Sequence, residues 1–121
     1  MEKTVGSRQR AVLEKLRKIC LGLPETEEVE TWGHPTFRAA GKTFAVLEEY
    51  KGVLSLALRV PKEHQYLFLK DPRFYVTPYI GKHGWVSLKV DDRINWQEVR
   101  HLVTGSYHAQ TAGVKQRRGR R

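Results

Sequence analysis

The sequence predicts an α+β domain: an antiparallel β-sheet flanked by an N-terminal and a C-terminal helix. Three observations carry this. Apolar residues recur at helical spacing mainly near the two ends of the chain, and the middle consists of short runs rich in aromatic and β-branched residues. The links between most of those runs are short and contain glycine. Links so short join antiparallel neighbours, and terminal helices can cover one face of the sheet they form. With 121 residues and 40% hydrophobic composition, the chain has material for one core.

Val12, Leu13, Leu16, Ile19, Cys20 and Leu23 recur every three or four positions, so residues 7–21 are expected to form a helix capped by Ser7. Gly22 and Pro24 are its stop signals. Strands are expected in "EVETW", "TFRAA", "TFAVLEEY" and "VLSLALRV", separated by Gly33-His34-Pro35, Gly41-Lys42 and Lys51-Gly52. Pro61 suits the first turn of a short helix, which Asp71-Pro72 closes. Two further strands, "RFYVT" and "WVSLKV", are joined by "PYIGKHG", a loop long enough to project past the sheet edge. Asn95 with Glu98 three residues on is a capping-box arrangement. Trp96, Val99, Leu102 and Val103 form the buried stripe of the last helix, which Gly105 is expected to bend or end. Trp32, Phe37, Phe44, Leu56, Leu58 and Val86 are expected to pack between sheet and helices.

The net charge of +9 is unevenly spread. Residues 1–18 carry +4 and "KQRRGRR", 115–121, carries +5, leaving residues 19–114 neutral. The expected organisation is one domain over residues 1–112 and a basic tail without fixed structure over 113–121. A basic excess of this kind points to an anionic partner, nucleic acid first. One cysteine and no apolar leader fit a cytoplasmic protein, and no segment is apolar enough to span a membrane.

Gly41-Lys42-Thr43 has the ending of a phosphate-binding loop but not its beginning. The glycine needed five residues earlier is replaced by Thr36, and the residues after Lys42 are strand-forming rather than helix-opening. The segment reads instead as a tight hairpin with a solvated lysine at its tip, and Gly81-Lys82 repeats the arrangement. No histidine or cysteine pair has zinc-ligand spacing, so no metal is expected. Glu25, Glu27, Glu28 and Glu30 alternate along a strand, which does not make a hard-cation site. Cys20 lies on the apolar stripe of the first helix as a small core residue. His34 reads as a turn residue. No nucleophile-base arrangement emerges, so neither catalysis nor a cofactor is expected.

Three stretches, "WGHPTFRAAGKTFA", "KDPRFYVTPYIGKHGWVSLKV" and "INWQEVRHLVTGSYH", resemble the MmcQ/YjbR family of small bacterial proteins, over about Leu21 to Tyr107. The matching positions are Trp32, His34, Pro35, Phe37, Lys42 and Phe44, then Asp71, Arg73, Thr77, Pro78, Tyr79, Gly81, Lys82, Gly84 and Trp85. The resemblance implies a CyaY/frataxin-like, double-wing DNA-binding-like fold. It does not require the basic ending "GVKQRRGRR".

The functional expectation is therefore a non-catalytic DNA- or other nucleic-acid-binding domain. Lys42, Lys82, Arg10, Arg17, Arg117 and Arg118 are the anion-contacting candidates, and Trp32, His34, Phe37, Thr77, Tyr79 and Trp85 the motif surface. Outward-facing aromatics beside Lys42 and Lys82 would stack on bases. The alternative is a module for a small anionic ligand or a protein partner.

Overall fold

The computed structural model describes the backbone of residues 3–119 and side chains from Arg8 to Ala112, Tyr50 excepted. Helix α1 spans Lys3–Cys20 and is followed by four strands, β1 (Thr26–Thr31), β2 (His34–Ala39), β3 (Lys42–Tyr50) and β4 (Val53–Arg59). A 3-10 turn leads into α2 (Gln65–Leu69); β5 (Phe74–Val76), a second 3-10 turn and β6 (Trp85–Lys89) precede the long helix α3 (Trp96–Gly119). The strands form one six-stranded antiparallel sheet in the order β1-β2-β3-β4-β6-β5. The α+β expectation holds, with helices at both ends of the chain.

Three differences from the sequence reading have physical causes. The first helix is already formed at Lys3, so Ser7 is not its cap. The last helix runs through Gly105 to Gly119, because a single glycine costs a helix only about 1 kcal/mol and the sheet fixes the turns on either side. The backbone of 113–119 thus continues α3, while the side chains expected to form a basic tail lie outside those described. Finally, Trp32 is 92% exposed, whereas Phe37, Phe44, Leu56, Leu58 and Val86 are all buried as expected. Trp32 occupies the first position of the β1–β2 turn, with φ 54° before Gly33 at φ 81°, and a two-residue turn tip points away from the sheet.

Alternation along the strands sorts the sheet into two faces. Phe37, Ala45, Leu47, Leu56, Leu58, Val86, Leu88 and Phe74 meet Leu16, Ile19 and Cys20 from α1 and Val99, Val103 and Tyr107 from α3 in one core. The opposite face carries Thr36, Ser55, Ala57, Ser87 and Trp85, buried but outside that core. There the Tyr75 hydroxyl reaches across β6 to Ser55 Oγ at 3.0 Å, and Thr77 and Ser87 share a hydrogen bond of 3.0 Å. Burial pushes the Cys20 thiol well above its ordinary range, and the nearby Glu28 carboxylate adds to the effect.

The sheet is clasped to α3 where its ladder fails. The β2–β3 register shifts between Phe37 and Arg38, leaving Phe44 as the extra residue of a bulge, and β3–β4 pairing begins only at Ala45–Leu58. Ser106 closes the gap: its hydroxyl donates to the Phe44 carbonyl at 2.6 Å and accepts from the Arg59 amide at 2.9 Å. One turn on, Gln110 Nε2 donates to the Thr43 carbonyl at 2.8 Å, and its Oε1 accepts from Arg59 Nη1 at 2.6 Å. Tyr107 stands edge-on to Phe44, ring centres 5.4 Å apart, and its hydroxyl donates to the Pro24 carbonyl.

At the other end of α3, Asn95 Oδ1 accepts from the Gln97 and Glu98 amides, as the cap requires. The Glu98 carboxylate turns instead to Arg73, which also grips Asp71. These bonds to Arg73 hold both carboxyls below their ordinary range.

Two adjacent substitutions should act in opposite directions. Ser106→Ala leaves the Phe44 carbonyl and the Arg59 amide without their partner and should cost about 2 kcal/mol or more in urea denaturation. Gly105→Ala meets open space on an exposed helix position and should stabilise by about 0.5–1 kcal/mol.

The Arg73 cluster predicts a pH dependence. A carboxyl depressed on folding contributes stability above its unfolded pKa, and that contribution disappears as pH falls through the folded value. Thermal melts from pH 7 down to pH 2 should show part of the loss in wild type below the ordinary carboxylate range, and a smaller loss in Glu98→Gln.

Candidate nucleic-acid interface

Strand directions decide which loops meet. β2 and β4 end, and β3 and β6 begin, at the same end of the sheet, because Ala39 pairs with Lys42 and Arg59 with Trp85. The Ala40-Gly41 turn, the Pro61–His64 turn and the Thr77–Gly84 loop therefore lie at one end, together with the part of α3 around Gln110. Both Gly-Lys segments belong to this end, which the sequence alone does not reveal.

In the first of them the left-handed turn residues are Ala40 (φ 53°) and Gly41 (φ 77°), and Lys42 opens β3 as an exposed residue. Arg38 closes the turn by donating to the Gly41 carbonyl at 2.9 Å. The second is built differently. Gly81 is buried at the start of a 3-10 turn, where an added Cβ would overlap Val76 Cγ1, so any larger residue would have to displace that side chain. Gln65 of α2 holds the loop by donating to the carbonyls of Gly81 and Trp85, at 2.8 and 3.0 Å.

That scaffold presents Tyr79. The Ile80 amide donates to the Pro78 carbonyl at 2.8 Å, and the enclosed Tyr79 has φ 69°, which makes a γ-turn of the rare and strained sort. Its side chain is 97% exposed. An aromatic held in a strained conformation gains nothing for the fold by standing in water, and strain of this kind concentrates at binding sites. Lys82 is exposed three residues on, and Tyr66, on α2 beside Gln65, is 60% exposed.

Lys42, Lys62 and Lys82 are all exposed, and none has an ion-pair partner among the described residues. Arg59 and Arg38 add charge nearby, each bonded to neutral acceptors. Glu25, Glu27 and Glu63 are carboxylates at this end: Glu25 precedes β1, Glu27 pairs with Arg38 in the β1–β2 register and Glu63 follows Lys62.

The remaining candidates are not brought together with these. Arg17 is bound by both oxygens of Glu28, at 2.7 and 3.0 Å, and by Glu14 at 3.0 Å, bonds that raise its pKa. It is a brace between α1 and β1. Arg10 lies two residues from Arg8, which pairs with Asp92 at 3.1 Å near the opposite end of the sheet. Trp32 and His34 belong to that opposite end as well, in and beside the β1–β2 turn. Phe37, Thr77 and Trp85 are buried and offer no surface. Arg117 and Arg118 lie outside the described side chains. Sequence reasoning missed Lys62 and Tyr66. Their signal, a lysine after Pro61 and a tyrosine on a short helix, gains meaning only through the Gln65 contact.

A cavity of about 550 Å³ opens at the opposite end, where the charged lining residues Arg8, Lys89, Glu49 and Asp91 balance. Among the described residues, no group of three histidine, cysteine or carboxylate side chains could hold a metal, and no helix is long and apolar enough to cross a membrane.

The YjbR family model matches residues 21–109. The fold is similar to that of a crystallised protein from Pseudomonas syringae, at 17% identity and TM-score 0.70, covering 80% of this chain and 97% of that one. It is also similar to a Deinococcus radiodurans protein with a DUF419 domain, at 20% identity and TM-score 0.72, covering 82% and 78%. None of the curated proteins matches the sequence.

Proposed function

We propose that this chain, which belongs to the YjbR family, binds nucleic acid without catalysing a reaction, through the end of the sheet that carries Lys42, Lys62, Lys82 and Tyr79. One observation carries the reading: a fully exposed tyrosine in a strained turn shares the end of the sheet with three exposed lysines that have no ion-pair partner among the described residues. Lysines supply the sequence-independent attraction to phosphates, and each contact releases condensed counterions. Tyr79 supplies a face on which an unpaired base can stack. The preferred ligand is therefore a single strand or a frayed end rather than intact duplex, whose bases stack on one another.

A second reading rests on Leu67, Val76 and Ile80, apolar side chains exposed along the β5 edge of the same region. Their presence favours a protein partner docked on that edge. The two readings differ in their response to salt.

Fluorescence anisotropy of the full chain with a labelled single-stranded oligonucleotide, at two salt concentrations, separates them. Lys42→Ala with Lys82→Ala should weaken binding and lower the salt slope by about 1.4, twice the value for one phosphate contact to a single strand. Tyr79→Ala should cost about 1–3 kcal/mol for the single strand and little for duplex. Unchanged affinity in both variants, with circular dichroism as the folding control, would remove this surface from nucleic-acid binding and leave the protein-docking reading.

A further inference from the structure

A second group of unpaired cations lies away from the sheet end, in a groove of about 410 Å³ between α1 and α3. Lys15, Lys18 and Ile19 line it from α1, and Trp96, Gln97 and Arg100 from the first turns of α3. Among the described residues, no carboxylate lines it. The acidic side chains near it in sequence are engaged elsewhere: Glu14 on Arg17, Glu98 on Arg73 and Asp92 on Arg8. Lys18 and Arg100 are exposed and have no bonded partner among the described residues. Lys15 Nζ sits 5.8 Å from the centre of the Trp96 ring, a cation-π contact that fixes both groups at the mouth of the groove.

Three cations at the lip of one groove repel one another, and folding would avoid that by placing a glutamate among them. Instead, the fold sends each neighbouring glutamate to a structural arginine. The N-terminal end of α3 adds its positive dipole, and buried Ile19 contributes an apolar side chain to the lining. The charge calls for a compact dianion, and the volume falls within the range of small-molecule sites.

We infer that the α1–α3 groove binds a small molecule carrying a dianionic phosphate group, with Lys18 and Arg100 on the phosphate and Trp96 beside the rest of the ligand. This site is independent of the sheet-end surface, since it shares no residue with it.

The test uses Trp96 as its reporter, against the constant emission of Trp85, which is buried on the sheet face opposite the core. In the full chain carrying Trp32→Phe, which removes the solvent-exposed indole, tryptophan emission is followed during titration with inorganic phosphate, ribose 5-phosphate, AMP and adenosine. The phosphate-bearing compounds should change the emission with half-saturation below about 1 mM, and adenosine should not. Tighter binding of AMP than of ribose 5-phosphate identifies a nucleotide as the source of the phosphate, and equal binding of inorganic phosphate identifies the free ion. Lys18→Glu with Arg100→Glu should weaken the response at least tenfold. Lys42→Ala with Lys82→Ala should leave it unchanged, so that failure of the nucleic-acid reading and failure of this one are told apart. If the charge reversal unfolds the chain by circular dichroism, Lys18→Met with Arg100→Met replaces it. No response to any phosphate compound, an equal response to adenosine, or a folded groove variant that binds as wild type overturns the inference.

Discussion

The bulge at Phe44 is the constraint on which most of the molecule depends. An extra residue in β3 shifts its register with β2 between Phe37 and Arg38, and pairing with β4 stops at Ala45–Leu58, short of Lys42 and Arg59. Buried backbone groups left open there would each cost on the order of 1–3 kcal/mol. Ser106 and Gln110 satisfy them from α3, so the helix lies across the sheet at one height and one rotation. The same contact lies where β3 starts and β4 stops, and hence where the Lys42 turn and the Pro61 turn leave the sheet. Tyr107 extends the clasp to Pro24 and so to the link between α1 and β1. Candidate interface and core are thus positioned by one short stretch of helix, from Val103 to Thr111.

That dependence explains what the sequence made legible. Hairpins are local: Gly33, Gly41 and Gly52 each close a two-residue turn, and the strands between them follow within a residue or two of the expected runs. The Asn95 cap is equally local and was readable. Gly105 misled because its effect was judged from propensity, whereas the helix around it is fixed by Ser106 and Gln110 reaching the sheet, contacts 47 to 67 residues distant in sequence. Trp32 misled in the opposite way. Its size argued for burial, but the turn geometry of its position overrode that preference.

The candidate site was legible only in fragments. Lys42, Lys82 and Tyr79 could be named, but their meeting at one end depends on strand order, with β6 inserted between β4 and β5. Arg17 shows the reverse limit. As a residue on the outer face of a basic helix it reads as a free cation, and only the pairing of β1 against β2 reveals that Glu28 faces it. The motif aromatics divide on the same ground: in β6, alternation and the register with β4 place Trp85, buried, on the sheet face opposite the core, while Tyr79, in a loop, obeys no alternation.

A division of labour between the two cations follows. Arg8, Arg17, Arg38, Arg59 and Arg73 are each tied to a protein acceptor, and three of them hold carboxylates. The planar guanidinium suits this, because its forked donors can bridge two elements with little further loss of freedom. Lys18, Lys42, Lys62 and Lys82 are left without partners among the described residues. A lysine is a mobile point charge that finds a phosphate without demanding a fixed geometry around it. Reading base edges in a groove depends chiefly on bidentate donors such as arginine, asparagine or glutamine, and at the sheet end the arginines are already engaged. The geometry therefore favours recognition of the phosphate backbone and of an exposed base face over recognition of sequence. Arg10, Arg93 and Arg100 are exposed without a side-chain partner among the described residues, and Arg100 stands in a groove where a compact anion could be held by a fork.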